Sequence, residues 1–335
     1  MFTENKQLRL FLLLLLVGSA LAAVPLLNGG SAADYMLTPA IAAILVALLT
    51  RRHDERLPRL FFVAYLLIGG VYLLLALLNV FLPFADFYKD AEAILPLLSL
   101  PLWFLLWFES AERRRAYGLQ GGCWRQCALI AGLYVALLLL REVVFACLGE
   151  NEFSLPAFFV DGAAWSFLLL QLPLGFFFSL VNILGEEYGW RYFLQPLLQK
   201  KYGLRRGVLL LGVIWGVWHL PVKIMNSPQQ WHFLLLMQII TCISLGIFYA
   251  WAYLKTDNIW LPVILHYLNN SIVGFVSGNQ AADEALATVS EMLLSGLLLL
   301  AVDLALFGWA IFSPCFRADN GRLPTMNERA EKTYQ

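Results

Sequence analysis

The chain has 335 residues, 60% of them hydrophobic and only 14% charged, with Lys+Arg and Asp+Glu balanced at 23 each. A soluble domain carries about 25% charge, so the composition excludes a soluble globular enzyme and gives no case for a nucleic-acid partner. Apolar runs at this density specify an integral membrane protein.

Apolar segments of roughly spanning length run over 8–27, 35–50, 60–84, 93–108, 126–148, 158–184, 207–222, 232–254, 259–276 and 290–313. Segments 35–50 and 93–108 are short for a span of about 20 residues. No stretch alternates like a membrane-barrel strand. The predicted fold is all-α, a polytopic membrane helix bundle of about ten spans, with eight to ten as the range. Lys6 and Arg9, then a Leu-rich run and Ala20-Leu21-Ala22, also match a signal peptide. The run continues apolar to Leu27, and that length favours a retained helix.

Basic residues fall in alternate loops. Lys6 and Arg9, the 51–59 and 113–125 clusters, Lys200–Arg206, Lys255 and the tail from Arg317 onward hold 19 of the 23. The opposite loops hold only Lys89 and Lys223. By the positive-inside rule both termini are then cytoplasmic. Trp231, Trp260 and Tyr88, near span ends, read as interface anchors. The cysteine pair in CWRQC (Cys123, Cys127) is not a strong metal spacing and is given no function. Four regions are expected: N-terminal transmembrane helices over 1–157, a core with purposeful polar residues over 158–280, a final helix over 281–316, and a polar, disordered cytoplasmic tail over 317–335.

Charged residues at the centre of a membrane helix cost about 2.5–3.5 kcal/mol each on insertion scales. They are functional candidates by default. Here they are Arg141, Glu142, Asp161, Glu186, Glu187, Arg191, His219, His266 and Asp303, with the amides Asn182, Asn269 and Asn270. At about 1.5 Å of rise per residue, Glu186 and His219 each lie about 21 Å from the nearest basic anchor. By the same rise His266 lies at about 17 Å and Asn270 at about 22 Å. Three helices thus bring unusual polar residues to one level. Glu187 and Arg191 are i,i+4 and can pair, as can His266 and Asn270. Glu186 then points elsewhere, toward a cavity. The long 158–184 segment with its continuation is expected to break at Pro173 or Gly185. Arg141 and Glu142 are adjacent and read as structural, pairing with Asp161 or lipid headgroups. Asp303 is left without a role.

A carboxylate, two imidazoles and an amide around a membrane cavity suit two chemistries. One is water activation with oxyanion stabilisation. The other is a zinc-type divalent metal held by Glu186, His219 and His266. Both give hydrolysis, and the residues alone leave both open, as they do the cofactor (a divalent metal or none). The blander readings are an ion pair for Glu187–Arg191, an end-cap for His219 beside Pro221, and interhelical hydrogen bonds for His266 and Asn270.

EEYGWR (Glu186–Arg191), WGVWH (Trp215–His219) and HYLNN (His266–Asn270) resemble, in order and spacing, the E-E-x-x-x-R, F-x-x-x-H and H-x-x-x-N motifs of the CPBP intramembrane proteases, which include CAAX prenyl endopeptidases and bacteriocin-processing proteins. Trp215 stands where the family pattern has Phe, a departure expected to affect pocket shape more than chemistry. The resemblance implies that Glu186 activates water, His219 assists, His266 and Asn270 hold the oxyanion, and Glu187 and Arg191 orient the motif. It implies an endopeptidase acting on a membrane-associated peptide or protein within the lipid bilayer of the bacterial cytoplasmic membrane. Two alternatives remain. One is a non-catalytic immunity, regulatory or scaffold protein of the same fold. The other is a transporter using Glu186 and Asp303, against which the absence of internal repeats counts.

Overall fold

The computed structural model describes residues 3–82, 93–149, 153–277, 289–317 and 322–332; Tyr88 and Lys89 lie outside them. The chain runs through α1 (Glu4–Leu27), α2 (Ala32–Met36), α3 (Thr38–Thr50), α4 (Arg59–Phe81), α5 (Ser99–Phe108) and α6 (Ala111–Ala116). It continues with α7 (Trp124–Cys147), α8 (Leu155–Val160), α9 (Gly162–Phe178), α10 (Leu180–Tyr202), α11 (Leu204–Trp218) and α12 (Leu220–Asn226). The last elements are α13 (Trp231–Thr256), α14 (Trp260–Ser277), α15 (Val289–Leu306) and α16 (Met326–Lys332). No strand occurs among the described residues. The protein is a multi-pass, all-helical membrane bundle.

The span count is lower than the apolar runs suggest. Among the described residues six helices are long and apolar enough to cross a bilayer, seven if the bent pair α9–α10 is one span. Leu95–Phe108 and Trp260–Val276 are apolar but shorter than a span. Hydropathy registers any apolar run, and short helices sheltered by protein need not cross the bilayer.

Helix α10 is the axis of the bundle. From Leu180 to Gln199 every residue but Asn182 is buried, as a helix surrounded by others must be. The bend before it, 67° between α9 and α10, is at Ser179 and not at Pro173 or Gly185. The Ser179 hydroxyl donates to the Gly175 carbonyl at 2.8 Å, the back-bonding that bends helices. Pro173 sits in the first turn after a π-helical stretch (Phe167–Gln171), where it breaks no needed bond. Gly185 and Gly189 serve close approach. A Cβ at Gly185 would meet the Tyr65 hydroxyl at 2.7 Å and the Met36 carbonyl at 2.8 Å. One at Gly189 would run into Pro39. The motif helix therefore lies directly on the α2–α3 junction.

The N-terminal helices are built into the core. Tyr65 donates to the Val181 carbonyl at 2.7 Å, and Tyr35 to the Trp218 carbonyl at 2.6 Å. Residues 322–332 of the tail pack onto the bundle, contrary to the expectation from their polarity. Leu323 is buried, as are Met326 and Ala330 of α16. Asn327 exchanges hydrogen bonds with Gln7 at 3.1 Å, and Lys200 bridges Glu4 at 2.7 Å and Glu328 at 2.9 Å. Both termini and the 51–58, 200–206 and 257 loops thus share one end of the bundle, as the charge pattern requires.

At that end Asp54 is buried between two guanidinium groups, with Arg51 Nη2 at 2.8 Å and Arg56 Nε at 3.1 Å, and accepts from the Tyr117 hydroxyl at 3.1 Å. Burial pushes its carboxyl up, but the hydrogen bonds from Arg56 and Arg51 outweigh burial and hold it down to about 2. A depressed folded-state value stabilises the fold above the unfolded value of about 3.9 and loses that effect as pH falls through the folded one. Asp54→Asn should cost about 3 kcal/mol at neutral pH, the scale of breaking a buried ion pair. In thermal unfolding of the detergent-solubilised protein, the gap to wild type should be constant above about pH 5 and close between about pH 4 and pH 2.

Candidate active site

The charged run in α10 is followed by a π-helical turn, Tyr188–Leu194, an irregularity common at functional sites. Glu187 Oε2 accepts from Arg191 Nε at 3.0 Å, so the expected pair forms. Its other oxygen, Oε1, meets His266 Nδ1 of α14 at 2.8 Å. Glu187 and Arg191 are wholly buried and His266 nearly so. The Arg191 guanidinium also lies 5.1 Å from the Trp215 ring and 5.5 Å from that of Tyr249, in cation–π range. Glu187 thus ties the first motif to the third, an interaction that pairing within α10 alone could not foretell.

Trp215 of α11 ties the first motif to the second. Its indole Nε1–H donates to Glu186 Oε2 at 2.8 Å, and its carbonyl lies 2.8 Å from His219 Nδ1. His219 is the C-cap residue of α11, immediately before α12. The end-cap reading of His219 is therefore correct as far as it goes, and the same residue lines the cavity described next. The Trp-for-Phe departure changes chemistry as well as shape, because phenylalanine has no donor to give Glu186.

Glu186, His219, His266 and Asn270, on α10, α11 and α14, all line one cavity of about 340 Å³. Asn269 also lines it. It accepts from the Tyr134 hydroxyl at 2.9 Å and donates to Asn270 Oδ1 at 3.2 Å, which fixes the amide pair from α7. Glu186 makes no ion pair with a cation among the described residues.

Two of the structural assignments need correction. Arg141 bonds its neighbour Glu142 at 2.8 Å and Asp303 of α15 at 2.7 Å. Asp161 instead caps the helix after it, accepting from the Ala163 N–H at 2.8 Å. Arg141 and Asp303 line the same cavity as Glu186, with Thr241 and Gln238 beside them. The signal was present in the sequence: one unassigned cation and one unassigned anion at mid-span, each costly without the other.

Among the described residues no three His, Cys, Asp or Glu side chains are placed to share a metal ion. Glu186, His219 and His266 line one cavity without forming such a group.

Residues 168–272 match the family model of the Type II CAAX prenyl endopeptidase Rce1-like proteins. All three motifs fall inside that range. Over that region the chain resembles the CPBP proteases. CAAX prenyl protease 2 of Methanococcus maripaludis is similar too, 31% identical over 101 residues, 28% of this chain and 37% of that protein. The chain thus covers little more than a third of that relative's length. No solved structure matches.

Two adjacent carboxylates should behave differently. Glu187→Gln strips the buried Arg191 of its anion and His266 of a carboxylate partner and should lower stability by about 3 kcal/mol or more. Glu186→Gln keeps an acceptor for Trp215 and should change stability by less than about 1 kcal/mol. Thermal unfolding of the two variants side by side measures the difference, and equal losses would contradict the division.

Proposed function

We propose that the protein is an intramembrane endopeptidase that hydrolyses a peptide bond in a membrane-associated peptide or protein. The observation that carries the reading is the convergence of Glu186, His219, His266 and Asn270 on one cavity. The likeness to CAAX prenyl protease 2 suggests a prenylated C-terminal peptide as the first substrate class to try.

Water entering the cavity loses a proton to Glu186 as its oxygen attacks the scissile carbonyl carbon. Trp215 holds one carboxylate oxygen and thereby fixes the rotamer from which the other acts. The carbonyl oxygen becomes an oxyanion. His266, doubly protonated, donates from Nδ1 to Glu187 and from Nε2 to that oxyanion, and the Asn270 amide supplies a second donor. In this state Glu186 is protonated and Glu187 faces two cations, so Glu187, Arg191 and His266 carry one net positive charge, which the oxyanion balances. A neutral cluster lowers the cost of burying them. His219, with Nδ1 at the Trp215 carbonyl, keeps Nε2 to relay the proton from Glu186 to the leaving amine as the C–N bond breaks.

The test is cleavage of a prenylated reporter peptide by the full chain in lipid nanodiscs, with peptide termini compared in cells carrying each variant. Glu186→Ala and His219→Ala should each lower kcat at least about a thousandfold, and Asn270→Ala about a hundredfold. All three proteins should remain in the membrane. Trp215→Phe should lower kcat about tenfold with little change in KM, since it removes one hydrogen bond to Glu186 and keeps the ring. Full activity in both Glu186→Ala and His219→Ala would instead support a non-catalytic role for the fold.

A further inference from the structure

A second concavity, of about 690 Å³, lies at the basic end of the bundle, between the start of α11 and the segments around Arg317 and Arg322. We propose that it binds the phosphate of an anionic phospholipid headgroup, with an acyl chain laid along α11.

Charge is the first argument. Lys200, Arg205, Arg206, Arg317 and Arg322 all line the concavity. Among the described residues the acids at its rim are already engaged: Glu4 with Lys200 at 2.7 Å, and Glu328 with Lys200 at 2.9 Å and with Arg322. Those contacts account for Lys200 and Arg322. Arg205, Arg206 and Arg317 are exposed and make no ion pair among the described residues.

Four other arginines at this end are engaged within the fold. Arg51 and Arg56 hold Asp54, Arg113 bridges Glu109 at 3.1 Å, and Arg114 donates to the carbonyls of Leu106, Trp107 and Glu109. The positive-inside rule accounts for basic residues on this face. It does not by itself gather five basic side chains round one hollow, three of them without an ion pair among the described residues.

The backbone adds to the same field. Gly203 is the N-cap of α11 and offers no side-chain acceptor, and the first turn has no acidic residue. The concavity is lined by Gly203, Leu204, Arg205 and Arg206, so the positive end of a 15-residue helix opens into it. Open N–H groups and guanidinium forks are the donors a phosphate takes.

The apolar surface decides for a lipid over free phosphate. Leu210, Val213 and Val217 follow Arg206 at four, seven and eleven residues, so one face of α11 carries the arginine at its base and exposed apolar side chains above it. A phosphate with an acyl chain uses both parts of that face, whereas inorganic phosphate uses only the first. Basic pockets between membrane helices at this level are a known setting for anionic headgroups.

The experiment uses the detergent-solubilised full chain and native mass spectrometry, with phosphatidylglycerol and phosphatidylcholine as probes. The wild type should retain phosphatidylglycerol at least about tenfold better than phosphatidylcholine. The triple variant R205Q/R206Q/R317Q should lose that preference, and Arg317→Gln alone should lose part of it. The control R113Q/R115Q, on the same end but outside the concavity, should keep it. The three arginines are exposed and make no ion pair among the described residues, so the triple variant should unfold at the wild-type temperature. Equal phosphatidylglycerol binding by wild type and triple variant would overturn the site. Displacement of the lipid by millimolar inorganic phosphate would overturn the lipid assignment and leave a phosphate site. Neither outcome depends on peptidase activity.

Discussion

The bundle turns on the carboxylate of Glu187. It is buried completely, and both oxygens are taken, one by Arg191 of its own helix and one by His266 of α14. A lone buried carboxylate would be prohibitive, as would a lone buried guanidinium. Each therefore requires the others, and the requirement fixes how α10 meets α14. Arg191 then stacks against Trp215 and Tyr249, which brings α11 and α13 into the same arrangement. The polar cluster specifies a unique packing in a medium where apolar faces alone would fit in many ways.

Trp215 carries the second constraint. One residue donates to Glu186, offers its carbonyl to His219 and packs its ring 5.5 Å from that of His266. Read as a ring, tryptophan for phenylalanine is a change of size. Read as a donor, it restricts the one motif carboxylate that no cation restricts. Glu187 is fixed by charge and Glu186 by a neutral N–H. A neutral N–H orients a carboxylate without setting a full positive charge beside it.

The candidate site was legible in the sequence to the extent that cost is legible. Each charge within an apolar run is expensive, so Glu186, His219, His266 and Asn270 stood out one by one, and rise per residue put them at one level. Side-chain partners across helices were not legible, because they depend on rotation and crossing geometry that no spacing records. Glu187–His266 and Arg141–Asp303 were missed for that reason. The helical class was clear from composition, but the number of spans was overestimated, since an apolar run looks the same in lipid and in protein. The tail misled in the opposite direction. Its polarity suggested disorder, yet Asn327 and Glu328 find partners on α1 and at Lys200, and a polar segment can dock where other polar segments await it.

The charged groups of the protein fall into closed sets and open ones. Asp54 with Arg51 and Arg56, Glu187 with Arg191 and His266, and Arg141 with Glu142 and Asp303 are closed, each ion answered within the fold. These sets set geometry and have little left to offer a ligand. Glu186 in the central cavity and the three arginines at the basic end are open. An ion without a counter-ion is retained against its cost only where something else meets it. For Glu186 the proposed partner is a water molecule and the peptide bond it would attack. For Arg205, Arg206 and Arg317 the proposed partner is an anion from the membrane surface. The same rule of charge balance locates both sites, one at the centre of the bundle and one at its edge.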